Sequence, residues 1–192
     1  EEVTGTSRLI SRSTDRMLAI INDMLDISKF EAGKMKVRKT EGNLLDLVND
    51  VVKLMAPLTG RKNLGIALDS CQLPAIMLDR EKVRQVIDNL MSNAIKFSPP
   101  GSTITLRCSE MENDGRAFLQ LSILDEGPGV PPESRPYLFD KYAQVHQDVK
   151  ITGTGLGLAV SQLIIDAHGG EIGFRSLGDT GSEFYFRLPV DA

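Results

Sequence analysis

The sequence predicts an α+β protein in which a long N-terminal helix precedes a two-layer sandwich of helices packed on a mixed, mostly antiparallel sheet. Three observations carry this. Apolar residues recur at helical spacing through the first 59 residues, the texture changes to strict alternation from Leu64, and two pairs of alternating runs are joined by hairpin-turn sequences with helical stretches between them.

Taken in order, residues 4–31 contain no Pro. Ile10, Met17, Ile20, Met24 and Ile27 fall on a three-four repeat, with Leu18, Ile21 and Leu25 as a second stripe beside it. An apolar arc that wide asks for more than one partner helix. Ala32-Gly33 ends the helix, and Lys29 sits in the last turn, where the helix dipole favours a cation. The domain boundary is placed here, with a helical segment over 1–33 and the sandwich over 34–192. Asn43 caps a second helix over 44–59 whose Leu44, Leu47, Val48, Val51, Val52 and Met55 share a face, and Pro57 is expected to distort its end.

Leu64, Ile66 and Leu68 then alternate with smaller or polar residues, and 75–78 reads as a short strand. Asp79 caps a helix that runs to Phe97, where Ser98-Pro-Pro-Gly101 stops it. Alternating runs over 103–111 and 118–124 are joined by Glu112-Asn-Asp-Gly115, a hairpin signal. Between Asp125 and Gly153 only 132–138 looks helical. A further helix over 156–167 leaves at Gly169-Gly170, and strands over 171–176 and 182–188, linked by Gly178-Asp-Thr-Gly181, close the chain.

The 192 residues, 41% hydrophobic, suffice for one well-filled domain plus an accessory element. A net charge of -4 with interspersed signs and no basic run with aromatics excludes a nucleic-acid surface. Cys71 and Cys108 match no metal or redox spacing and read as ordinary thiols, which points to a reducing, cytoplasmic setting. No apolar run is long enough to cross a membrane. The chain begins at Glu1 rather than Met and reads as a fragment, so a membrane anchor upstream stays open.

Three stretches carry candidate chemistry. Asn89, Asn93 and Lys96 share a second face of the third helix; Asn is a poor helix former, and its amide oxygen is a hard neutral ligand suited to magnesium, with Lys96 one turn on to meet phosphate. A solvated face is the competing explanation. Asp125-Glu-Gly127-Pro-Gly129 follows a buried-looking strand and permits a tight turn against which a flat ligand can lie, with the carboxylate accepting from an exocyclic amine; the same pattern also serves as a plain turn. Gly153-Thr154-Gly155-Leu156-Gly157 runs straight into a helix and aims backbone N–H groups from its positive end, an anion site, where a flexible connector is the alternative.

In this order the three stretches resemble the N, G1 and G2 boxes of sensor histidine kinases, within the wider superfamily of gyrase, heat-shock-90 and mismatch-repair ATPases. Tyr137-Leu-Phe-Asp-Lys-Tyr142 resembles the family's F box, with Phe139 as its aromatic, and core packing competes for Phe139 and Tyr142. Asp26-Ile-Ser-Lys-Phe-Glu-Ala-Gly-Lys34 is similar to the join between dimerisation and catalytic domains, and His168-Gly-Gly170 and Gly181-Ser-Glu-Phe184 to the closing segments.

The resemblance implies a Bergerat-type sandwich holding ATP and magnesium between the Asn helix and a lid over 143–152. It implies Asn93 as the metal ligand with Asn89 beside it, Lys96 toward phosphate and Asp125 on the adenine amine. Gly127 and Gly129 would lie under the ring, and Gly153, Thr154, Gly155, Leu156, Gly157 and Leu158 over the phosphates. It further implies a homodimer in the full-length protein, a phosphoacceptor helix of the same or a partner chain, and a response-regulator receiver domain as partners. The departures are the missing box around the acceptor His and Glu183, where a hydroxyl is more usual. The chain has only His146, in the lid, and His168, which reads as a helix C-terminal cap. Residues 1–33 therefore resemble the second helix of the dimerisation hairpin, and the expected function is a histidine kinase module whose acceptor lies elsewhere. A signalling pseudokinase and a protein-serine kinase of the same superfamily are the alternatives.

Overall fold

The computed structural model describes residues 2–34, 36–113, 115–143 and 154–191. The elements in order are α1 (Glu2–Glu31), β1 (Thr40–Gly42), α2 (Leu44–Lys62), β2 (Gly65–Ser70), β3 (Ile76–Leu78), α3 (Arg80–Phe97), β4 (Thr103–Asn113), β5 (Arg116–Asp125), a 3-10 helix (Pro132–Tyr137), α4 (Gly157–Ala167), β6 (Glu171–Ser176) and β7 (Ser182–Pro189).

The predicted caps form. The Asn43 side chain accepts from the Leu45 N–H at 2.8 Å, and Asp79 Oδ1 accepts from the Lys82 N–H at 3.2 Å. Pro57 does not end α2, which runs on to Lys62 and closes on Asn63 in the left-handed conformation at φ 54. The turn Glu112-Asn-Asp-Gly115 is tighter than expected, because Glu112 and Asn113 pair with Ala117 and Arg116 inside the ladder.

β2-β4-β5-β7-β6 make a five-stranded sheet in which only the β2/β4 pair is parallel. The strand expected at 75–78 stays outside it: β3 pairs antiparallel with β1, which has no apolar alternation to betray it in the sequence. Ile104, Leu106, Leu119, Leu121, Ile123, Phe186 and Leu188 line one sheet face and meet Val83, Val86, Ile87 and Leu90 of α3, Leu47, Val48 and Val51 of α2, and Val160 and Ile164 of α4. Each of these residues is 3% exposed or less. At about 25 cal/mol per Å² of apolar area, this single core is the main source of stability.

α1 touches the sandwich near its C-terminal end. Ile27 is buried there, and buried Asp26 accepts from Lys82 Nζ at 2.7 Å and from Gln85 Nε2 at 3.2 Å, while Glu31 pairs with Lys141. Further back, Met17, Leu18, Ile21, Met24 and Leu25 are 47–63% exposed, so this part of the double apolar stripe has no partner helix among the described residues.

Candidate functional site

The site is built on α3, where Lys82, Gln85, Asn89, Asn93 and Lys96 follow offsets of three, four, four and three and share a face. Lys82 and Gln85 hold α1; the next turns carry the candidate ligands. Asn89 turns toward α4, donating from Nδ2 to Ser161 Oγ at 2.9 Å. A Cβ built on Gly157 would lie 2.2 Å from Asn89 Oδ1, so the Asn89 amide occupies the space a side chain there would need. Asn93 is half-buried one turn on. Lys96 Nζ lies 4.7 Å from the Phe97 ring centroid, and Lys62 Nζ from α2 donates to the carbonyls of Ile95 and Lys96 at 2.7 and 2.8 Å, neutralising the negative end of α3.

Asp125 closes β5 and is only 6% exposed. Its Oδ1 accepts from the Gly127 N–H at 2.8 Å. Burial pushes this carboxyl above the usual carboxylate range, and the Gly127 N–H offsets only part of that. A side chain at Gly127 would meet Asp125 Oδ1 at 2.7 Å and the Phe97 carbonyl oxygen at 3.1 Å, so the turn lies directly on the last turn of α3. On its other side the Gly181 N–H donates to the Gly127 carbonyl at 2.7 Å, and Ser182 faces Asp125 across the ladder. Gly129 is needed for its backbone, at φ +76, rather than for space.

The segments flanking the expected lid meet each other. The Tyr142 N–H donates to the Gly155 carbonyl at 2.9 Å, with both residues in the left-handed region at φ 66 and 69. A Cβ on Gly155 would strike the Tyr142 backbone at 2.7 Å. The Leu156 N–H donates to Thr154 Oγ1 at 3.2 Å, Leu156 is buried, and Leu158 packs against the core. Gly153, His146 and 144–152 lie outside the described residues. Phe139 is half-buried beside buried Leu138, whereas Tyr142 is 62% exposed and is not a core aromatic.

The fold thus joins the three stretches by contact. Gly157 rests on Asn89, and Gly127 rests on Phe97, four residues past Asn93. Sequence reasoning missed Ser161, which carried a faint signal, a single hydroxyl among the apolar positions of α4 one turn after Gly157; Gly181 and Ser182 were singled out only as part of a closing segment, and strand register sets them beside Asp125 and Gly127.

His168 is the expected C-cap of α4 and has a further part. It is 2% exposed; Nδ1 lies 2.7 Å from the Ile164 carbonyl, and Nε2 accepts from the Asp79 N–H at 3.0 Å. That pattern requires the neutral ring protonated on Nδ1, in keeping with a pKa lowered chiefly by burial. Asp79 Oδ2 also takes the Arg38 N–H at 2.8 Å, and Lys39 Nζ reaches the His168 carbonyl at 3.2 Å. His168 therefore ties the end of α4 to the start of α3 and to the linker from α1.

The sequence profile of the histidine kinase-, DNA gyrase B-, and HSP90-like ATPases matches residues 78–192, the stretch that holds all three candidate segments. The chain belongs to this ATPase family. Among curated relatives it is 37% identical over 188 residues to the "Non-motile and phage-resistance protein" of Caulobacter vibrioides, covering 97% of this chain and 22% of that protein. It is likewise 37% identical over 183 residues to "Sensor histidine kinase GacS" of Pseudomonas protegens, covering 93% of this chain and 20% of that one. The chain thus spans about a fifth of the length of these relatives. Among solved structures, full-length ShkA in complex with AMPPNP superposes with a TM-score of 0.80 at 30% identity, covering 94% of this chain and 37% of that one. The family's α+β architecture is the one described above, a mostly antiparallel sheet with helices on one face. No helix among the described residues is long and apolar enough to cross a membrane.

Proposed function

We propose that this chain is the ATP-binding catalytic module of a sensor histidine kinase, which transfers the ATP γ-phosphoryl group to a histidine on another helix for two-component signalling. The observation that supports this best is the double contact of α3 with the two glycine turns, Gly157 on Asn89 and Gly127 on Phe97, which brings the Asn face of α3, the buried carboxylate of Asp125 and the N-terminus of α4 together.

Each residue then has a task. Asp125 accepts from the adenine amine, and Gly129 lets the ring lie close. The N–H groups at the start of α4, approached through Gly155 and Gly157, meet the phosphates, and Lys96 adds a positive charge on the same side. Among the described residues no group of three or more His, Cys, Asp or Glu could hold a metal. A half-buried amide on the phosphate side suits magnesium, which takes one or two protein oxygens beside phosphate, so Asn93 is the ligand proposed for it. Magnesium supplies charge neutralisation to the phosphates when bound. The protein's own contribution is positioning and electrostatic stabilisation, since phosphoryl transfer demands little covalent chemistry from it.

The acceptor is supplied from outside. Of the histidines, His168 is locked away as a buried cross-tie. The exposed stripe of α1 offers a seat for the helix that carries the acceptor and for a second protomer, and a receiver domain is the onward partner. A cytoplasmic location goes with this reading. The experiment uses γ-labelled ATP with magnesium. The chain alone is expected to bind nucleotide and form no acid-labile phosphohistidine, whereas a helical hairpin bearing an acceptor His, added in trans, becomes labelled. Nucleotide binding without label on either would replace this reading with a pseudokinase, and label on the chain alone would overturn the account of the acceptor.

A further inference from the structure

Cys71 and Cys108, which share no sequence motif, are brought together by the sheet. β2 is an edge strand whose ladder neighbour is β4, and the parallel register ends at Ser70 opposite Cys108. Cys71 is the next residue. Cys71 therefore sits one peptide unit beyond the residue that pairs with Cys108. Cys71 reaches back to β4, where its Sγ lies 3.7 Å from the backbone carbonyl oxygen of Cys108.

The two thiols differ in access. Cys71 is exposed, whereas Cys108 is 3% exposed and faces the core beside Leu106. Burial pushes the Cys108 thiol up to about 11, with neighbouring Cys71 and Asp69 adding to the rise. This is the division of labour of an attacking and a resolving cysteine, one meeting the oxidant and the other shielded behind it. Residues 71–75 belong to no helix or strand, which lets Cys71 swing without breaking a ladder.

We propose that Cys71 and Cys108 are a redox-modification site, closing into an intramolecular disulfide on exposure to hydrogen peroxide and so stapling the end of edge strand β2 to β4. In the first step the Cys71 thiolate attacks a peroxide oxygen. The O–O bond breaks, an S–O bond forms, and hydroxide leaves, which takes up a proton to give water. In the second step Cys108 gives up its proton and attacks the Cys71 sulfur, forming the S–S bond as the S–O bond breaks and a second water departs. The pair loses two electrons and two protons, and the peroxide is reduced to two waters. Because burial keeps Cys108 protonated, the second step is the slow one.

The test treats the reduced 192-residue chain with a modest excess of hydrogen peroxide, then unfolds and alkylates it before intact-mass analysis. The expected product has lost two hydrogens, takes up no alkyl group, and regains both thiols with dithiothreitol; its thermal midpoint lies several degrees above that of the reduced chain. Cys71→Ser, at an exposed position, should leave Cys108 fully alkylatable after unfolding. Oxygen added to Cys71 with Cys108 still alkylatable, or a Cys71-linked covalent dimer, would overturn the proposal.

Discussion

Asn89 and Gly157 are interlocked: the amide oxygen of one occupies the space that a side chain on the other would need, at 2.2 Å. The same amide donates to Ser161 one turn further along α4. A glycine expected to expose N–H groups is thus also a packing requirement. Gly157→Ala should destabilise the fold by about 1–3 kcal/mol through overpacking. Asn89→Ala in the same chain should recover part of that loss. Urea unfolding of both single variants and the double variant checks the coupling, and strict additivity would show that the two residues do not touch in solution.

Asn93 separates binding from stability. Asn93→Ala should weaken magnesium-ATP binding by about tenfold or more, about 1.4 kcal/mol per decade, because a metal ligand is lost. A half-buried amide outside the core leaves the nucleotide-free thermal midpoint nearly unchanged. Calorimetric titration giving equal affinities would remove Asn93 from the site. Asn89→Ala should cost less affinity and more stability.

Asp125 is a carboxylate held where burial disfavours its charge. Its folded pKa is raised, so the stability it contributes is present in acid and lost as pH rises through the folded value. Asp125→Asn keeps an acceptor for the Gly127 N–H and carries no charge. It should therefore raise the nucleotide-free thermal midpoint at neutral pH while losing ATP affinity. The wild-type chain should prefer ATP to GTP strongly, since guanine would set a carbonyl oxygen against the carboxylate. Effective competition by GTP against a fluorescent ATP analogue would sink this assignment.

His168 sets an acid limit on the fold. Its folded pKa lies below the usual value near 6.5, so its contribution is complete above that value and disappears as pH falls through the folded pKa. A proton on Nε2 would face the Asp79 N–H, donor against donor. Urea midpoints should fall below about pH 6.5 in the wild-type chain and show a shallower fall in His168→Asn, which should itself be less stable at neutral pH by about 1–3 kcal/mol, the cost of leaving buried polar partners unmatched. Parallel pH profiles for the two proteins would acquit His168.

Local chemistry determined much of this protein from the sequence alone. Helical spacing, the Asn43 and Asp79 caps, alternating strands and glycine punctuation all act over a few residues, and each of those elements forms close to its expected place. The Asn face of α3 and the two glycine turns were legible for the same reason. Tertiary structure decided what depends on residues far apart in the chain. It paired β3 with β1 rather than with the main sheet, because that register is set by two short segments with no pattern of their own. It carried α2 through Pro57, whose helix is held by the buried face of Leu44, Leu47, Val48 and Val51 and closes only at Asn63. It made His168 a tie between two helices by bringing Asp79, 89 residues away, to its ring. It also gave Gly157 its second role, since the seating of the Asn89 side chain against the start of α4 is a property of how helices cross, and no single helix encodes it.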